Sequence, residues 1–198
     1  MRKIPNNERY AFNSITKVTY MANLRFMTKR IFLLATSLCL NGCLGMPKAV
    51  TPINGFDLNR YLGTWYEIAR LDHSFERGME QVTAEYSLRE DGGVSVINRG
   101  FLPAKNKWKE AAGKAFFVEE PTTGYLKVSF FGPFYGSYVI FELDRENYQY
   151  AFVSGPDNSY LWLLARTPTV EKDLLDRFVA QAKQLGFAPE QLIYVPQK

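Results

Sequence analysis

The chain has 198 residues, 46% of them hydrophobic and 15% aromatic, with 15 Phe, 12 Tyr and 3 Trp. That suits one domain with a large apolar interior plus a leader, and composition does not separate a packed core from a lined cavity. The net charge of +4 comes from the leader: residues 1–42 hold seven of the 24 basic side chains and one of the 20 acidic ones, leaving 17 against 19 in residues 43–198, so the electrostatic argument for a nucleic-acid partner fails.

Lys29 and Arg30 precede an apolar run at residues 31–40 (IFLLATSLCL), and Asn41, Gly42 and Cys43 follow. A charged start, a short apolar stretch and a small residue before the cut make a signal peptide of residues 27–42. The run is shorter than the ~20 apolar residues that cross a bilayer. Met27 is a natural start, so residues 1–26 are expected to be an over-extended gene start or a disordered extension. Cys39 and Cys43 are the two cysteines of the chain. They lie too close together for a useful disulfide, and the body after them has no thiol nucleophile or thiolate metal site.

Leu40-Asn41-Gly42-Cys43 resembles a bacterial lipobox. That resemblance implies a diacylglycerol on the sulfur of Cys43 and an acyl group on its new amino terminus. Two or more acyl chains anchor stably where one is marginal. Leu44 stands where an Asp would favour retention in the inner membrane, so the resemblance points to the outer membrane, on its periplasmic face. Residues 43–54 then read as a lipidated tether and residues 55–198 as the folded domain, with the compact body starting near Phe56.

Strand signals recur from there. Residues 64–71 (TWYEIARL) are rich in strand formers, and residues 81–89 alternate, with Val82, Ala84, Tyr86 and Leu88 on one face. Asp91-Gly92-Gly93 is a hairpin turn. Residues 94–101, 107–118, 125–131, 137–143, 149–154 and 160–165 complete eight strands, joined by short segments with turn residues. The fold class is therefore all-β: eight antiparallel strands in an up-and-down barrel, a size that can hold one small ligand. Thr169 reads as the N-cap of a helix carrying Val170, Leu174, Leu175, Phe178, Ala182 and Leu185 on one face, with Gly186 after its end. This helix is expected to pack outside the barrel. Residues 192–195 offer a last edge strand.

Residues 59–70 (NRYLGTWYEIAR) resemble the first lipocalin signature, built on Gly63-x-Trp65, and Arg166 in LLARTP matches the third; Gly155-Pro156-Asp157 matches the second only loosely. Residues 61–70, 91–100, 126–138 and 160–168 sharpen the resemblance to bacterial lipocalins of the outer membrane lipoprotein Blc type, within the calycin superfamily, with apolipoprotein D a more distant relative by the same signature. The resemblance implies that Trp65 plugs the closed end of the barrel with Arg166 lying across it, a structural pairing with Gly63 rather than a ligand contact. It implies a lipid ligand, a fatty acid or lysophospholipid, bound, stored or moved at the envelope for membrane maintenance under stress, and it raises a homodimer. No cofactor or metal is implied.

Strand parity places Trp65, Glu67, Ala69 and Leu71 on one face. A buried Glu67 needs donors or a proton. It reads either as part of a structural network with a Tyr or Arg near the base or as a headgroup contact. Parity also gives Tyr86, Asn98, Val128, Phe130, Tyr138 and Trp162 as pocket candidates, against the alternative of a solid core. The aromatic segment 131–136 reads either as a loop that dips into a membrane interface or lines the mouth, or as one packed on its neighbours. His73, the single histidine, reads as a surface loop residue, because Asp72, His73 and Ser74 are adjacent and triad members converge in space. The rivals to lipid carriage are a structural or adaptor lipoprotein with a filled barrel and, further off, a lipid-modifying enzyme.

Overall fold

The alternation of apolar and polar residues folds as it reads. In the computed structural model, which describes residues 44–197, the strands are β1 (Gly63–Arg70), β2 (Glu80–Leu88), β3 (Val94–Leu102), β4 (Lys107–Phe117), β5 (Tyr125–Phe131), β6 (Phe134–Leu143), β7 (Tyr150–Ser154) and β8 (Leu161–Ala165). Each pairs antiparallel with the next, and β1 pairs with both β2 and β8, which closes the barrel. A short helix, α1 (Leu58–Tyr61), precedes β1; α2 (Lys172–Gln184) follows β8, and β9 (Ile193–Tyr194) adds to the edge of β1.

Antiparallel order sends the connections alternately to two ends. Segments 89–93, 118–124 and 144–149 lie with α1 at one end, the base; segments 71–79, 103–106, 132–133 and 155–160 lie at the other, the mouth. The β5–β6 connection is tighter than the sequence indicates. Phe131 pairs with Phe134, so β6 starts three residues before residue 137.

Two apolar clusters divide the chain. One fills the base inside the barrel around Trp65, Tyr61, Phe56 and Ile140. The other lies between the barrel wall and α2, where Phe178 meets Phe152 edge-on with ring centroids 4.8 Å apart. The helix starts later than Thr169: Glu171 is the N-cap, because the Thr167 hydroxyl donates to the Thr169 carbonyl and holds that stretch in a turn. At the other end Gly186, at φ +83°, lets Phe187 N–H reach the Ala182 carbonyl.

Residues 44–54, read above as a tether, form a strap down the outside of β6. Gly45 N–H donates to Ser137 Oγ at the mouth end, Val50 and Ile53 are buried, and Ile53 N–H bonds to Ile140 O (2.9 Å). Asn54 bridges Thr123 at the base. The compact body thus begins before Phe56. Cys43, residues 27–42 read above as a signal peptide, and residues 1–26 lie outside the described residues.

Candidate functional site

The base is where Gly63, Trp65 and Arg166 meet. Gly63 has φ +94°, and a Cβ there would stand 3.4 Å from the Arg166 guanidinium, so only glycine turns the chain from α1 into β1. Trp65 is fully buried, donates Nε1–H to the Tyr61 carbonyl (2.8 Å) and carries the Arg166 guanidinium over its ring at 4.0 Å. Arg166 also donates to the carbonyls of Thr64 (2.8 Å), Arg60 (2.8 Å), Leu62 (2.9 Å) and Tyr148 (3.3 Å).

Above this plug the barrel encloses a cavity of about 640 Å³. Its lining includes Glu67, Tyr86, Asn98, Val128, Phe130, Tyr138 and Trp162, together with Val82, Ala84, Val96, Leu126 and Leu164. On the floor the hydroxyl of Tyr138 meets those of Tyr61 (2.7 Å) and Tyr86 (2.9 Å). Burial raises the pKa of all three phenols, so they stay neutral hydrogen-bonding groups. A second concavity, of about 500 Å³ on the outer face of β2–β4, is lined mostly by polar and charged side chains such as Gln81, Thr83, Arg99 and Glu110. The apolar lining belongs to the interior.

The expected face of β1 holds only to its middle. A β-bulge at residues 67–69 shifts the pairing with β8 and reverses the parity beyond it. Ala69 and Leu71 therefore pack into the cluster under α2, not into the barrel. Arg70 turns inward instead, onto Glu67, and the two bond at 2.5 Å. Glu67 accordingly lies mid-barrel rather than low, in a network with an arginine. Arg70 also donates to the Glu76 carbonyl (2.9 Å) and the Met79 carbonyl (3.3 Å), tying the 71–79 segment across the mouth.

That segment brings in groups that sequence reasoning missed. Glu76 is buried, and Trp162 Nε1–H donates to its carboxylate at 3.2 Å. Burial is the largest cause raising both acids: Glu67 is pushed up to about 8, with Glu76 adding and Arg70 opposing. Arg70 bonds the carboxyl of Glu67 alone, and burial favours the protonated form of both acids. His73 is not a surface residue. Its ring stacks between Phe75 (5.2 Å) and Tyr160 (4.8 Å), and burial, then Arg70, lowers it to about 4, so it is neutral. The reason is tertiary: the segment folds inward over Trp162, whose ring lies 4.7 Å away. Asp72 points elsewhere and pairs with Arg77 (2.5 Å), so no Asp-His-Ser relay assembles. Arg70 Nε and His73 Nε2 are buried with no hydrogen-bond partner in the protein.

Of the 131–136 segment, Tyr135 packs on Phe116 at 6.5 Å while Phe131 and Phe134 point out at the mouth. Both of those rings also border the cavity.

The lipocalin-like domain model matches residues 56–197. The outer membrane lipoprotein Blc of Vibrio cholerae is 66% identical over 170 residues, covering 86% of this chain and 99% of that one. The protein of the same name from Escherichia coli K12 is 55% identical over 151 residues, 76% of this chain and 85% of that one. Bovine apolipoprotein D is more distant, 35% identical over 120 residues, 57% of this chain and 62% of that one. Among solved structures, insecticyanin from the tobacco hornworm Manduca sexta superposes with a TM-score of 0.60 over 75% of this chain and 85% of that one at 23% identity, a likeness of fold. With its closed barrel, its outer helix and the Trp65–Arg166 plug, the chain belongs to the lipocalin-like family, among bacterial relatives of the outer membrane lipoprotein Blc type.

Proposed function

We propose that the barrel binds one lipid with a single long chain, a fatty acid or a lysophospholipid, and stores or delivers it at the bacterial outer membrane, where acyl groups on Cys43 hold the protein. One observation carries this reading: a cavity of about 640 Å³ with aliphatic and aromatic walls and a polar cluster near its mouth. That volume falls within the range of roughly 300–1,000 Å³ typical of small-molecule sites. An acyl chain entering tail first lies along Val128, Val96 and Leu126 and ends above the hydroxyls of Tyr61, Tyr86 and Tyr138. Its headgroup then stands beside Glu67, Glu76 and Trp162, the polar side chains that line the cavity toward its mouth. Pocket contacts from Glu67, Tyr86, Asn98, Phe130 and Tyr138 belong to the same reading. The relatives named outer membrane lipoprotein support the location, and membrane upkeep under stress is the role this reading assigns to the carrier.

The test is mass spectrometry of lipid co-extracted with the mature protein, followed by titration with a lysophospholipid and with a fatty acid. Saturable quenching of Trp162, absent in Trp162→Phe, is expected. Failure to quench with either class, and no co-extracted lipid, overturns carriage in favour of an adaptor role. Turnover of an ester lipid that disappears in His73→Ala overturns it in favour of an enzyme.

A further inference from the structure

The two ends of the barrel differ in chemistry. Four large apolar side chains are exposed at the mouth: Phe75 (53%), Trp108 (54%), Phe131 (80%) and Phe134 (74%). They come from three separate connections, so their clustering at one end is a property of the fold. Lys105, Lys107 and Lys109 flank them, also exposed. Arg77 is matched by Asp72, Glu76 is buried, and Asp157 is the remaining exposed acid of the mouth loops. The base turns carry exposed acids instead, Glu90, Glu119, Glu120 and Glu146, with Asp91 matched by Arg89 (2.8 Å). Arginines there are engaged in the fold, as where Arg60 donates to the Glu146 carbonyl (2.6 Å) and Arg145 to the Asn54 carbonyl.

The strap adds an independent constraint. Gly45 donates to Ser137 Oγ (3.0 Å), and a Cβ on it would stand 3.8 Å from the Pro156 carbonyl in the β7–β8 connection. Residue 43 is two residues away, at most about 7 Å of extended chain. The described chain thus begins at the mouth end of the barrel.

We propose that the barrel docks mouth-down on a lipid bilayer, with Phe131 and Phe134 inserted in the interface, the lysines over anionic headgroups and the acidic base facing away. Aromatic rings favour the interface, and lysines near an anionic surface add attraction that salt weakens. Lipid then passes between bilayer and cavity without crossing water, since Phe131 and Phe134 border both. The docking rests on the Cys43 anchor for orientation, but the apolar rim and the charge asymmetry are independent of it.

The experiment separates the two. Lipidated protein is reconstituted on vesicles of phosphatidylethanolamine and phosphatidylglycerol with brominated acyl chains, carrying either Phe134→Trp or Asn147→Trp as an added reporter. At least twofold quenching of the Phe134→Trp signal, with the Asn147→Trp signal unchanged, is expected. Equal quenching of both, or of neither, in protein that floats with the vesicles overturns the docking and leaves the anchor intact. Flotation weakened but still measurable in Cys43→Ser supports the anchor; wild-type protein that fails to float overturns it. The docking is then read from partition of Cys43→Ser protein into the same vesicles, which should fall at least tenfold when Phe131→Ser and Phe134→Ser are combined. Unchanged partition overturns the docking, and so does a dimer in solution that this pair of substitutions dissolves, since the rim would then be covered by a second copy of the chain.

Discussion

The base and the mouth use the same ingredients, an arginine, aromatic rings and backbone carbonyls, to opposite ends. At the base, Arg166 finds four carbonyls and the Trp65 face, and the Trp65 indole has its own acceptor. At the mouth, Arg70 meets one carboxylate and two carbonyls but keeps a buried Nε without a partner, beside a second buried acid and a buried imidazole with an unpartnered nitrogen. Buried polar groups are normally satisfied, and leaving one unmade costs stability. The base is fully bonded, while the mouth leaves two buried nitrogens without a protein partner.

The contrast breaks most visibly at Trp65. Trp65→Ala removes a fully buried ring from the plug and should destabilise the barrel by about 3–5 kcal/mol, read from denaturant unfolding. A loss under about 1 kcal/mol would show that the plug does not hold the base. Next comes Arg166→Met, which keeps much of the apolar stem but strips four carbonyls of their donor. It should cost about 1–3 kcal/mol, with the unfolding slope unchanged.

The mouth is sharpened by pH. The Glu67 acid is raised from 4.5 to about 8 in the folded protein, so its contribution is complete below the unfolded value and is lost as pH rises through about 8. His73, lowered to about 4, acts in the opposite sense: its contribution is present above 6.5 and is lost as pH falls toward 4. The two oppose each other between those values, and above pH 7 the acid cluster acts alone. Stability should fall between pH 7 and 9, by on the order of 1 kcal/mol per pH unit at the steepest, and Glu67→Gln should flatten that fall. An equal slope in both proteins would move the retained proton to Glu76.

Much of this molecule is legible in the sequence because its information is local. A period of two across eight segments gives the strands, turn residues give their ends, and Gly63, Trp65 and Arg166 mark the plug across more than a hundred residues. Pocket candidates such as Val128 and Tyr138 follow from the same parity, since inward positions of a closed barrel alternate. Parity fails where pairing inserts a bulge: after Glu67 it assigns Ala69 and Leu71 to the wrong face and hides Arg70. No residue type in IARL signals that reversal. His73 was illegible for a related reason, since a polar loop sequence does not say whether the loop stands in water or folds back over a mouth.

The sequence by itself thus determined an eight-stranded closed barrel, its outer helix and the plug at one end, because each rests on short-range periodicity or on residues with one structural use. The tertiary structure alone decided that Glu67, Arg70 and Glu76 share one buried site, that the space between the walls is a cavity rather than a filled core, and that residues 44–54 run as a strap to the mouth. Those depend on where eight strands register against one another, and register is settled by the whole sheet closing at once.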